Sequence, residues 1–213
     1  MSGALFNLAR AGAVAIALAG CGGRAAPRPA PASGAQASLP PANAAALAAA
    51  LRDGGYVLFV RHAATDRGRD DARVVLEDCT TQRALSALGR AQAEAIASGL
   101  ARLRIAVGEV RASPYCRAAD TARVAFGSML LDDDLLPLRD GAAPRRLAAI
   151  RRLLALPPLP GTNSALVGHG ETFEQLAGIE LGDAEAAVVR PDPTTGTWTV
   201  VGRIAPAQWS ALP

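Results

Sequence analysis

Two histidines occur in the 213 residues, and each stands at the end of an apolar, strand-like run. Tyr56-Val57-Leu58-Phe59-Val60 leads into Arg61-His62, and Ser164-Ala165-Leu166-Val167 leads into Gly168-His169-Gly170-Glu171. In open α/β sheets functional groups gather just past the carboxyl ends of buried strands, so the two imidazoles are placed to share one pocket. A neutral imidazole can act as a nucleophile through its unprotonated nitrogen. The guanidinium group of the adjacent Arg61 would disfavour a second positive charge and favour that neutral form of His62. A single strand-end histidine is usually a hydrogen-bonded loop residue. The pair, with an arginine directly before the first, points to chemistry.

Those residues need elements to position them. An Ala/Leu run from Ala44 to Arg52 predicts a helix that Gly54-Gly55 stops before the first strand. A polar loop rich in Arg and Asp follows, from Thr65 to about Thr81. Ser86 then suits the N-cap of a long helix whose Leu88, Ile96, Leu100 and Leu103 recur at helical spacing and should face a sheet. Val107 to Ala112 reads as a strand. Ser113-Pro114 reads as a cap with proline in the first helical position, opening a helix from Tyr115 to Phe126 with Arg117 in its first turn. Arg145 to Leu156 and Thr172 to Ala177 read as helices, and Ser164 to Val167 as a buried strand. Ala187 to Arg190 and Trp198 to Ile204 form a strand pair turning at Asp192-Pro193-Thr194-Thr195-Gly196. Alternating β and α segments without an internal repeat predict an α/β three-layer sandwich, its mostly parallel central sheet flanked by helices.

Composition narrows the possibilities. Every basic residue is arginine, which excludes a phosphate-loop lysine, a Schiff base and a lysine general base together. The arginines are scattered rather than clustered with aromatics, which argues against a nucleic-acid partner. Two histidines with no repeated cysteine pair supply too few ligands for a metal, and no cofactor is implied.

At the N-terminus Arg10 precedes an apolar stretch from Ala11 to Ala19, followed by Leu18-Ala19-Gly20-Cys21. This resembles a bacterial lipoprotein signal over residues 1–20, with lipidation at Cys21 and an Ala/Pro-rich tether over 21–45. The run is far shorter than the roughly 20 residues of a spanning helix. The expected product is a folded domain over 46–213, anchored to a membrane of the bacterial envelope by lipid and facing the periplasm or exterior; a soluble secreted form is the alternative. If lipid takes Cys21, then Cys79 and Cys116 remain in an oxidising compartment and suit a disulfide, with two reduced thiols as the other reading.

Four ordered pieces resemble the histidine phosphatase superfamily, which includes cofactor-dependent phosphoglycerate mutases, acid phosphatases and phosphohistidine phosphatases. They are Arg61-His62-Ala63-Ala64-Thr65; Leu85-Ser86 with Gly89 and Gln92; Ser113-Pro114-Tyr115-Cys116-Arg117 with Thr121-Ala122; and Gly168-His169-Gly170. The resemblance implies that His62 is the nucleophile and that Arg61, Arg117 and His169 hold the phosphoryl group of a small phosphorylated substrate. Thr65 either contacts phosphate or caps its loop. The implied reaction is hydrolysis of a phosphomonoester or phosphoramidate through a phosphohistidine, without a metal. A backbone anion site is expected where the helix after Ser113 begins.

Three departures matter. Ala63 replaces the glycine of many relatives, and its methyl should narrow the pocket. The stretch Leu135-Leu136-Pro137-Leu138, where the phosphoglycerate mutase-like branch carries its proton-donating glutamate, has no carboxylate. Gly170 follows the second histidine, where the acid phosphatase branch has an aspartate. Glu171 is therefore the candidate catalytic proton donor, against a reading as a helix residue favoured by the dipole, with Asp66 and Asp140 as fallbacks. Arg117 has its own alternative, pairing with Asp120 on the same helix. The rival from another class is a non-catalytic lipoprotein binding a phosphorylated or anionic envelope ligand.

Overall fold

Val57-Leu58-Phe59-Val60 has apolar side chains on both faces, a pattern buried only by an interior strand covered on both sides. In the computed structural model, which describes residues 41–66, 74–138 and 141–213, this run is strand β1 (Val57–Arg61), and all four residues are fully buried. The signal, Cys21, the tether up to residue 40 and Asp140 lie outside the described residues.

Helix α1 spans Pro41–Asp53, so the residues expected to close the tether at 45 already belong to it. It ends at Gly54, whose φ of +82° suits glycine. The remaining elements are α2 (Ala87–Leu103), β2 (Val107–Ala112), α3 (Cys116–Phe126), β3 (Leu130–Leu131), α4 (Ala143–Ala155), β4 (Asn163–Gly168), α5 (Gly170–Ala177), β5 (Ala186–Asp192) and β6 (Thr197–Ile204). The sheet order is β3-β2-β4-β1-β5-β6. Strands β3, β2, β4 and β1 run parallel, and the β5–β6 hairpin adds antiparallel to β1.

Because side chains alternate along a strand, the sheet buries two cores. Leu58 and Val60 face one side with Val167, Val188 and residues of α1, α2 and α3. Val57 and Phe59 face the other with Leu166, Val189, Ile150 and Leu154 of α4 and Phe173 of α5. The result is the expected three-layer sandwich with a mostly parallel centre. No described helix is long and apolar enough to cross a membrane.

Two local expectations change. Leu88 is 63% exposed, because the buried stripe of α2 runs through Gly89, Ala93, Ile96, Leu100 and Leu103, one residue round the helix from the expected start. Ser113 is not the cap of α3, which starts at Cys116 after Tyr115 and has no side-chain cap from its own N-terminus. Gln82 serves instead: its Oε1 accepts from the Cys116 N–H at 2.9 Å, while its Nε2 donates to the carbonyls of Val75 and Leu76. The expected backbone anion site is thereby reduced, since this first helical donor is already engaged.

Candidate active site

Strands β1 and β4 are adjacent and parallel, with Arg61 in register with Gly168, so their carboxyl ends bring His62 and His169 together. The ring centroids are 5.5 Å apart, nearly edge-on. One pocket of about 340 Å³ is lined by Arg61, His62, Thr65, Arg117, His169 and Glu171, which assembles all six residues expected to act on the substrate. The fallback Asp66 does not line it.

The turn after β1 anchors His62 through its backbone. The Ala63 N–H donates to Thr121 Oγ1 at 2.9 Å, the Ala64 N–H donates to Gln92 Oε1 at 3.0 Å, and the Ala64 carbonyl accepts from the Ser86 N–H at 3.0 Å. Ser86 Oγ accepts from the Gly89 N–H and so caps α2, as its sequence position predicted. At Gly89 a Cβ would stand 1.9 Å from the Ala64 carbonyl oxygen, so only glycine lets this helix approach so closely. Ala63 is fully buried in the core and does not line the pocket; the expected narrowing by its methyl group does not occur.

The protonation of His62 follows from this setting. The ring is 8% exposed, and Nδ1 lies 2.9 Å from the Ala63 carbonyl oxygen, which can only accept. Nδ1 therefore carries the proton in the neutral ring, leaving the lone pair on Nε2. The pKa is lowered to about 3, chiefly by burial; the Ala63 hydrogen bond opposes the shift, and the positive charges of Arg117, Arg61 and Arg83 add to it. An unprotonated Nε2 is the form a nucleophile needs.

Arg117 is 1% exposed, its guanidinium carbon 4.3 Å from the centre of the Tyr115 ring. Asp120 pairs with Arg123 instead, so the alternative role for Arg117 falls away. Arg61 donates from Nη1 to the Leu181 carbonyl at 2.6 Å and from Nη2 to Asp183 at 3.0 Å. Its stem passes over Gly170, where a Cβ would stand 3.0 Å from Arg61 Cδ, a physical reason for the missing aspartate after His169. His169 is 4% exposed, with Nε2 3.0 Å from Ser113 Oγ. The serine hydroxyl can accept from Nε2–H or donate to the bare nitrogen.

Glu171 stands in the first turn of α5, and its Oε1 accepts from the Leu138 N–H at 3.3 Å. The proton donor expected from α5 thus reaches the very segment that lacks a carboxylate of its own. Thr65 lines the pocket while its backbone bridges to Leu85. Cys79 and Cys116 are bonded, tying the loop after β1 to the first residue of α3.

The sequence reading missed Arg83, Glu174, Glu180 and Asp183, which also line the pocket. Arg83 sits two residues ahead of the Leu85-Ser86 piece, which was its only signal. Asp183 and Glu180 lie in the return from α5 to β5, where no periodicity marks a pocket residue.

Residues 57–135 match the histidine phosphatase superfamily (branch 1). The fold is similar to that of the protein histidine phosphatase SixA complexed with tungstate, with TM-score 0.55 and 19% identity over 72% of this chain and 98% of that one. It is also similar to a mycobacterial glucosyl-3-phosphoglycerate phosphatase, with TM-score 0.52 and 20% identity over 69% and 97% of the two chains. A phosphoserine phosphatase from Entamoeba histolytica in complex with 3-phosphoglyceric acid gives TM-score 0.51 and 14% identity over 70% and 96%. No curated protein matches the sequence.

Proposed function

We propose that this chain is a histidine phosphatase superfamily member that hydrolyses a phosphomonoester or phosphoramidate through a phosphohistidine at His62, a reading supported by its match over residues 57–135 and by its fold. The observation that carries the reading is the His62 ring: Nδ1 is tied to Ala63, and Nε2 is kept unprotonated by burial beside three arginines. Nε2 attacks phosphorus and the bond to the leaving oxygen or nitrogen breaks. The leaving group takes a proton from Glu171. Water then attacks the phosphohistidine, gives its proton to the Glu171 carboxylate, and inorganic phosphate departs. Charge on the transferring group spreads over its equatorial oxygens, where Arg117, Arg61 and His169 stabilise it.

The enzyme works in the bacterial envelope, held by lipid at Cys21; the Cys79–Cys116 disulfide supports this, because such bonds persist in oxidising compartments. One observation favours the rival of a binding lipoprotein: Glu171, the candidate proton donor, already accepts from the Leu138 N–H. Acid-sensitive labelling by a phosphorylated substrate decides between them. The label should appear on His62, and His62→Ala should abolish both label and aryl phosphate turnover. Turnover that survives in that variant removes the mechanism.

A further inference from the structure

The pocket has two chemically opposed parts. Its buried floor is His62, Arg117 and His169, half-buried Arg61, Arg83 and Asp183 lie between, and the exposed Glu171 and Glu174 of α5 with Glu180 of the following return form its mouth. Glu171 and Glu174 stand three residues apart on one helix, so their like charges are neighbours, an arrangement that costs stability unless something offsets it. Asp183 is paired with Arg61 and Glu171 holds the Leu138 N–H, whereas Glu174 and Glu180 have no such side-chain partner among the described residues. A second observation points to a ligand here: the nine-tenths-buried His62 opens onto this cavity with Nδ1 alone committed to the protein.

Resting on the reading that the floor holds a phosphoryl group, we infer that the leaving group is small and positively charged, an amino-alcohol or quaternary-ammonium alcohol. Among the described lining residues carboxylates already outnumber guanidinium groups. Adding a phosphoryl dianion leaves the occupied pocket more negative still, so an anionic leaving group meets repulsion at the mouth and a cation meets attraction. The volume of about 340 Å³ suits a phosphoryl group with a short cationic arm.

The test uses two phosphonates, which cannot be hydrolysed: 3-(trimethylammonio)propylphosphonate and its neutral isostere 4,4-dimethylpentylphosphonate. Titration calorimetry on the full, oxidised chain should show the cationic compound binding at least about tenfold tighter, and the preference should shrink as salt is raised. In the Glu174→Gln/Glu180→Gln double variant the two affinities should come within about twofold. Equal or reversed affinities in the wild type, no binding of either compound, or a preference unchanged in the double variant overturns the inference. Aryl phosphate turnover on the same preparation keeps the two readings apart. Turnover without the preference sinks the cationic leaving group alone, and the preference without turnover sinks the hydrolysis alone.

Discussion

At the residue scale, the burial of His62 sets both reactivity and acid sensitivity. Above pH 6.5 the ring is neutral in the folded and the unfolded chain. Between pH 6.5 and about 3 the unfolded chain takes up a proton that the folded ring refuses, so stability falls as pH drops through that window. The loss amounts to roughly 3 kcal/mol between pH 7 and pH 4. Urea unfolding at the two pH values should show it, and His62→Gln should remove most of it. With two histidines in the chain, ring NMR signals are readily assigned, and His62 titrating near 6.5 would contradict the site. Glu171 has its own test. As proton donor it matters for a poor leaving group and little for an acidic phenol. Glu171→Gln should therefore slow alkyl phosphate hydrolysis by about a hundredfold and spare a low-pKa aryl phosphate; equal slowing of both would make it a positioning residue.

At the element scale, the close approach of α2 to the turn after β1 is what fixes His62. Replacing glycine by alanine inside a helix ordinarily stabilises it by about 1 kcal/mol. At Gly89 the added Cβ would meet the Ala64 carbonyl oxygen at 1.9 Å, and the clash outweighs that gain. Gly89→Ala should lose about 2–3 kcal/mol in thermal or urea unfolding, with phosphatase activity falling as the turn moves. Elements of this kind were legible because their signals are local: Ser86 caps α2 through its own hydroxyl, and β1 and β4 are continuous apolar runs. The start of α3 was misread because its first N–H is satisfied by Gln82, more than thirty residues earlier, which no local pattern encodes. Leu88 was misread because a glycine, invisible to a hydrophobic pattern, occupies the buried position beside it. The site residues taken from the ordered motifs, Arg61, His62, Thr65, Arg117 and His169, converge, whereas Arg83 and the acidic mouth depend on how loops fold back over the sheet.

At the scale of the whole molecule, the disulfide closes a sequence separation of 37 residues and joins the loop leading to Arg83 to the first residue of the helix that carries Arg117. Chain-entropy reasoning assigns such a ring about 4 kcal/mol. Reductant should lower the urea midpoint correspondingly and weaken turnover, since both arginines lose their common tether; unchanged activity in the fully reduced chain would confine the bond to stability. The placement of β1 has a different consequence, for the order in which the protein comes into being. Its neighbours are β4 and β5, each about a hundred residues or more downstream, with Val57 opposite Ser164 and Val189. During synthesis the strand leading to His62 leaves the ribosome early, yet it has no partner on either side until the last quarter of the chain arrives. Until then a fully apolar strand waits unpaired. A chain cut short between β4 and β5 would leave one edge of that strand open permanently, and its aggregation, rather than any loss of chemistry, would be the first phenotype of truncation.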